Sequence, residues 1–187
     1  MINSYSKHIL PVVLFAVLAT VLVSSWFRAG LLYGGGDVGI PSYDPERIFN
    51  IAKFVWWDAS APGTTVPQGL TSVPFQFIQM VLHKLGLSYV LIQASFFWVV
   101  IFLMGYGMFL MARTVFGREK TGLALLAGFF YELNPYTMIE VWHRFIHTTF
   151  FLAAALPFIF IFWTKWIRDG KFIFLLLFLL TSFLSSY

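Results

Sequence analysis

Hydrophobic residues along this chain are gathered into runs long enough to cross a lipid bilayer. A hydrocarbon core about 30 Å thick is crossed by a helix of about 20 residues, at about 1.5 Å per residue. The runs therefore predict an all-α polytopic bundle with four or five transmembrane helices and one long polar loop at about 33–86. The expected membrane segments lie at about 9–27, 87–112, 115–133, 145–164 and 172–187.

The residues around these runs refine the prediction. The first run lacks a convincing signal-peptide cleavage site in VSSWFRAG, so we interpret it as an uncleaved anchor. The third run reaches membrane length only if Arg118 and Lys120 extend to the interface, so a shorter helix is expected there. The fifth run is still apolar at Tyr187, which favours a C-terminally truncated piece that is inactive alone.

Two prolines mark features of the fourth segment. Asn134 followed by Pro135 is typical of a helix cap and a first-turn proline. We expect a helix to continue from there through Phe145 to about Trp163, with a kink at Pro157.

Composition supports a membrane protein and excludes several other classes. Of the 187 residues, 59% are hydrophobic and 11% are charged, whereas charged residues make up about 25% of an average soluble domain. The chain contains no cysteine, which excludes disulfides and cysteine-ligated metals. The net charge of +4 comes from basic residues that lie mostly at the ends of apolar runs. We therefore expect membrane lipids, and no nucleic acid, as partners.

The distribution of charge predicts an orientation. If the segments alternate in direction, one side collects seven basic and two acidic residues. The other side collects five basic and six acidic residues, and Glu132 is counted among them. By the positive-inside rule, the chain is a multi-pass cell-membrane protein with a cytoplasmic N-terminus and an extracytoplasmic long loop.

The long loop is predicted to contain helices that lie on the membrane. Asp44 suits an N-cap, Pro45 the first helical position and Glu46 the positive end of the helix. The residues that follow are amphipathic, as expected of a short helix on a membrane surface or against other helices. A second, apolar-rich helix is expected at about 74–85.

Two carboxylates of this loop are candidates for chemistry. Asp37 lies in GGGDVGIP and precedes no obvious helix. It falls at the depth where a lipid-linked substrate would present its head group. Asp44 has a structural explanation as a cap, and a role at the substrate is the alternative. Acidic side chains near a membrane are often functional, because their burial there is costly.

A second candidate cluster lies in YELNPYTMIEVWHRFIH. On a helix that begins at Pro135, Glu140, His143 and His147 are spaced i, i+3 and i+7 along one face. Such a face would suit a divalent metal, although the glutamate of HExxH is missing between the histidines. Alternatively, Arg144 and the histidines hold an anionic phosphate, or they only line the polar interface.

Several familiar motifs are missing from the sequence. It contains no GxxxxGK[ST] or GxGxxG for a soluble nucleotide and no GxSxG nucleophile motif. An enzyme built from this chain would therefore take an activated substrate from the membrane itself.

Three stretches within residues 30–165 form a familiar order: GGDVGIPSYDPERIF, FVWWDASAPG, and FFYELNPYT ahead of a helix. Together with an acidic residue directly after the first membrane segment, they resemble the N-terminal part of the GT-C superfamily of membrane glycosyltransferases. The sequence most resembles the arabinofuranosyltransferase-like members of this superfamily. These enzymes use sugars linked to polyprenyl phosphate.

The resemblance implies a reaction and a catalytic residue. A sugar would pass from a polyprenyl-phosphate donor to an extracytoplasmic glycan or protein acceptor, with Asp37 as general base on the acceptor hydroxyl. The substrate-binding residues expected beside it are Asp44, His143, Arg144 and His147, the last three from their charge. Some relatives use a metal, so a divalent metal stays an open alternative.

Two other interpretations remain open at this stage. A membrane transporter or an assembly subunit would fit the same composition. A transporter is expected to show interrupted membrane helices and polar residues near the middle of the bilayer. The third interpretation is a truncated product without activity.

Overall fold

The computed structural model describes residues 6–33, 44–54, 56–57, 64–65, 69–143 and 147–185, and within these ranges it is almost entirely helical. Two strands of two residues each form a small antiparallel pair, in which Trp56 lies opposite Thr65 and Trp57 opposite Thr64. In chain order the elements are α1 Ser6–Trp26, α2 Pro45–Ala52, β1 Trp56–Trp57, β2 Thr64–Thr65, α3 Gly69–Lys84, α4 Tyr89–Phe116, α5 Thr121–Leu133, a π-helix Thr137–His143, α6 His147–Asp169 and α7 Phe172–Leu184.

Three helices in the described ranges are long and apolar enough to cross a membrane. They cover Ile9–Trp26, Tyr89–Phe116 and Thr149–Asp169. The helices α5 and α7 are equally apolar but have 13 residues each, which is about 20 Å and less than a hydrocarbon core. The helical fold is thus confirmed, and three of the five expected segments are helices long and apolar enough to span a membrane, whereas the other two are shorter helices.

The longest helix, α4, lies at the centre, and α1, α5 and α6 pack along it. Small residues allow these helices to approach closely. A Cβ at Gly107 would lie 2.6 Å from the ring of Phe158 on α6. The indole nitrogen of Trp98 also donates a hydrogen bond to the hydroxyl of Thr20 on α1, at 2.9 Å. Outward faces remain apolar and exposed, as at Phe130 and Leu126, which suits contact with lipid.

Two helix ends differ from the expected positions. The helix α3 begins at Gly69 rather than near Pro74, so this proline lies inside the helix. As the sixth residue of the helix, Pro74 cannot donate a backbone hydrogen bond to the carbonyl of Leu70, although it keeps a helical φ. The helix α4 runs on to Phe116, past the expected end at residue 112. The guanidinium of Arg113 lies 5.5 Å from the ring centre of Phe109, one turn earlier on the same helix. Gly117, at a φ of +92°, ends it.

The junction after α5 confirms the predicted cap at Asn134. Its Oδ1 accepts a hydrogen bond from the backbone nitrogen of Thr137 at 3.1 Å. Its Nδ2 donates to the carbonyl oxygen of Tyr131 at 2.6 Å, and the hydroxyl of Thr137 donates to that same carbonyl at 2.9 Å. One polar side chain thus satisfies backbone groups at the end of one helix and at the start of the next.

The segment after this cap is not the regular α-helix that the sequence predicts. Residues Thr137–His143 form a π-helix, and α6 begins only at His147. A π-helix has wider turns than an α-helix and is common at functional sites. The backbone positions 140 and 143 are therefore not on the regular α-helical face that the i, i+3 spacing predicts.

The helix α6 continues through Pro157, which has no N–H to donate to the carbonyl four residues earlier. That carbonyl belongs to Ala153. The hydroxyl of Tyr131 on α5 donates to it instead, at 2.9 Å. A neighbouring helix thus supplies the hydrogen bond that the proline removes, as membrane helices require.

Candidate functional site

The start of the long loop is fixed to the helical bundle. The backbone nitrogen of Tyr33 donates to Oε1 of Gln93 at 2.9 Å, and Nε2 of Gln93 donates back to the carbonyl of Tyr33 at 2.7 Å. The hydroxyl of Tyr33 donates to the carbonyl of Trp26 at the end of α1, at 2.9 Å. The chain therefore leaves α1 along a defined path on α4. The predicted catalytic residue Asp37 lies outside the described residues.

The structure confirms Asp44 as an N-cap. Its Oδ1 accepts a hydrogen bond from the backbone nitrogen of Arg47 at 3.0 Å, with Pro45 in the first turn. The helix it caps packs against α3 through the rings of Phe49 and Phe77, whose centres are 5.6 Å apart. Its part in substrate binding stays a prediction.

An ion pair also joins α2 to α3. Nζ of Lys84 lies 3.2 Å from Oε1 of Glu46. Both side chains are more than half exposed, so this pair adds little to stability. The packing of the two helices therefore depends mainly on their apolar side chains.

The predicted phosphate-binding cluster is described only in part. His143 ends the π-helix and is exposed. Arg144 lies outside the described residues, and His147 begins α6 with an undescribed side chain. Among the described residues, no three histidine, cysteine or acidic side chains come together as metal ligands. The roles of these three residues in binding phosphate stay predictions.

A partly open apolar cavity of about 590 Å³ lies between α3, α4, α6 and α7. Its walls are almost entirely hydrocarbon. Sequence reasoning did not find it, because four helices from distant parts of the chain form it and none is unusual alone. The lining residues are Phe75, Ile78, Leu82, Ser95, Phe96, Val99, Val100, Leu103, Phe151, Ala154, Ala155, Phe158, Phe162, Leu177, Thr181, Leu184 and Ser185.

A second feature missed by the sequence reasoning is a buried carboxylate. The positive-inside rule places Glu132 among the charges of the outer side, but the structure buries its side chain completely. The reason is that α5 turns it towards α4, where a Cβ at Gly105 would collide with its Oε2. The available signal was an acidic residue almost at the end of an apolar run, one turn after Gly128.

Comparisons of this chain with protein-family models, with curated proteins and with solved structures found no match.

Proposed function

We propose that the chain is part of a membrane glycosyltransferase that moves a sugar from a polyprenyl-phosphate donor to an extracytoplasmic glycan or protein acceptor. The observation that carries this proposal is the apolar cavity between α3, α4, α6 and α7. A polyprenyl chain is a hydrocarbon, and ligand sites of several hundred Å³ with apolar walls suit such groups.

The proposed chemistry is a single direct displacement at the anomeric carbon. Asp37, assigned through the family resemblance, takes the proton of the acceptor hydroxyl. The hydroxyl oxygen then attacks the anomeric carbon, and the bond to the lipid phosphate breaks with its electron pair on the phosphate. The cationic groups proposed to neutralise that phosphate are Arg144, His143 and His147.

Asp44 has a smaller part in this proposal. Its capping bond to Arg47 occupies one carboxylate oxygen, so its main effect is to hold α2 in place. The excess of basic residues on one predicted side supports an extracytoplasmic position for the long loop that contains Asp37. A sugar donor linked to a membrane lipid suits that side of the membrane.

Filling the cavity tests the proposal. The variant Ala155→Trp places an indole in the cavity lining. The matched control Leu156→Trp places the same ring one residue further, on an exposed face. Sugar transfer in membranes of the full-length protein is expected to fall by about tenfold or more with Ala155→Trp, equal to about 1.4 kcal/mol of binding. Equal transfer by both variants would contradict a role for the cavity in holding the donor.

One observation favours a transporter as the second candidate. The connection between α5 and α6 contains Asn134 and a π-helix, with Thr137 buried beside Asn134. Interrupted helices with polar groups at mid-membrane are typical of secondary transporters. The two functions differ in their response to Asp37→Asn, which abolishes transfer in an enzyme and leaves solute uptake intact in a transporter.

A further inference from the structure

The contact between α1, α4 and α5 encloses one carboxyl group. The ring of Phe15 on α1 and the backbone at Gly105 on α4 lie against the same side of α5. A Cβ at Gly128 would lie 2.5 Å from that ring and 2.7 Å from the carbonyl oxygen of Gly105. Glu132, one turn further along α5, has 0% of its surface exposed. We call this contact of Phe15, Gly105, Gly128 and Glu132 the three-helix junction.

The three-helix junction lies deep within the helices. Gly105 is about 24 Å from the start of α4 and about 17 Å from its end, at about 1.5 Å per residue. Phe15 is likewise close to the middle of α1. The carboxyl group of Glu132 is therefore near mid-membrane, where ionisable residues are rare and mark functional sites by default.

Neither carboxyl oxygen of Glu132 has a hydrogen-bond partner in the part of the chain that the structure describes. The nearest cation on α4 is Arg113, eight residues from Gly105, or about 12 Å along the axis. Its guanidinium lies over a phenylalanine ring instead. Two other titratable groups near α5 have partners of their own: Tyr106 is stacked between Phe102 and Phe109, and Tyr131 is bonded to Ala153. His143 is exposed, Tyr89 lies at the start of α4, and Lys165, Arg168 and Asp169 lie in the last turns of α6. The remaining titratable residues on these elements have side chains outside the description: Lys7, His8, Glu140 and His147.

An ionised carboxylate without a partner is strongly disfavoured in such surroundings, by far more than a neutral carboxylic acid. We infer that Glu132 is a proton-binding site at the three-helix junction. It holds a proton while α1 covers α4 and α5. It releases that proton to water only when the helices separate. The step is a simple dissociation of the carboxyl O–H bond, in which the electron pair stays on the carboxylate.

Glu132 also lies beside an irregular part of the backbone. It is two residues before Asn134, where α5 ends and the π-helix follows. Such π-helices are frequent at functional sites, which agrees with a functional carboxyl group at this position. The inference holds for either function proposed above, because it depends only on the burial of Glu132.

Infrared spectroscopy of the full-length protein in liposomes at neutral pH tests the inference. The spectrum of the wild type minus that of Glu132→Gln should contain the carbonyl stretching band of a protonated carboxyl group. Glutamine is the appropriate variant, because it has the size of a protonated glutamate and keeps the packing. A carboxylate band in that difference spectrum, or no band, would overturn the inference.

A membrane-soluble carbodiimide provides a second test that needs no folded variant. The carboxyl O–H adds across one C=N bond, and the O-acylisourea rearranges to a stable N-acylurea, so the modified peptide gains one whole reagent molecule. The reagent reaches the enclosed Glu132 only when α1 separates from α4 and α5, so incubation must be long enough to include such openings. At neutral pH we then expect slow modification of Glu132, and none of the exposed Glu46 or Glu119. Modification of Glu132 no greater than that of the two exposed glutamates would overturn the inference.

Discussion

Replacing Tyr131 by phenylalanine tests how α5 and α6 are joined. The hydroxyl of Tyr131 donates to the carbonyl of Ala153, the carbonyl that Pro157 leaves without its helical donor. A buried carbonyl left unsatisfied costs about 1–3 kcal/mol. Interhelical hydrogen bonds in membranes average only about 0.6 kcal/mol, because lost bonds are usually replaced. The carbonyl of Ala153 has no helical donor to replace the tyrosine, because the residue four positions later is Pro157. We therefore expect Tyr131→Phe to lower the free energy of unfolding by about 1–2 kcal/mol.

A double-mutant cycle separates this bond from the rest of the tyrosine ring. In Pro157→Ala, the new backbone N–H can donate to the carbonyl of Ala153. Tyr131→Phe should then cost less than it does in the wild type, by about 1 kcal/mol. The free energy of unfolding is measured by titration of a mild detergent with sodium dodecyl sulfate. The control Tyr136→Phe changes an exposed ring and should be neutral. Equal costs of Tyr131→Phe in both backgrounds would refute the assigned role.

Two further predictions test the packing and the orientation. Gly128→Ala places a methyl group against the carbonyl of Gly105 and should destabilise the fold by about 1–3 kcal/mol, whereas Gly122→Ala on the same helix meets open space and should be neutral or stabilising by up to about 1 kcal/mol. Similar unfolding midpoints in detergent would contradict this close approach. Because the sequence has no cysteine, a membrane-impermeant maleimide should label Lys84→Cys in intact cells and Lys171→Cys only after permeabilisation. Labelling of Lys171→Cys in intact cells, with Lys84→Cys labelled only after permeabilisation, would contradict the predicted orientation.

Much of the fold follows from local sequence patterns. The apolar runs predict α1, α4 and α6 because each is long enough to cross a membrane as a helix. Within a membrane the backbone N–H and C=O groups must form hydrogen bonds inside the segment, and a helix provides them. Asp44 and Asn134 cap helices as predicted, since capping depends on residues only three positions apart. These features need no knowledge of tertiary contacts.

The rest depends on contacts between distant parts of the chain. The burial of Glu132 depends on Gly105, which is far from it in sequence. The distribution of charge along the sequence contains no information about that contact, so it predicts an exposed position for Glu132 on the outer side. The π-helix at Thr137–His143 departs from the regular pattern, and spacing alone did not indicate it. The resemblance placed the catalytic role on Asp37, and no packing argument could have selected that residue.

The most direct test of the proposed function is sugar transfer by the full-length protein. Membranes that contain the wild type, Asp37→Asn or Asp44→Asn are supplied with a radiolabelled polyprenyl-phosphate sugar, and label in the acceptor is measured. We expect transfer by the wild type, none by Asp37→Asn, and most of the activity with Asp44→Asn, because asparagine also caps helices. Undiminished transfer by a well-expressed Asp37→Asn variant, or no transfer by any of the three proteins, would contradict the proposal.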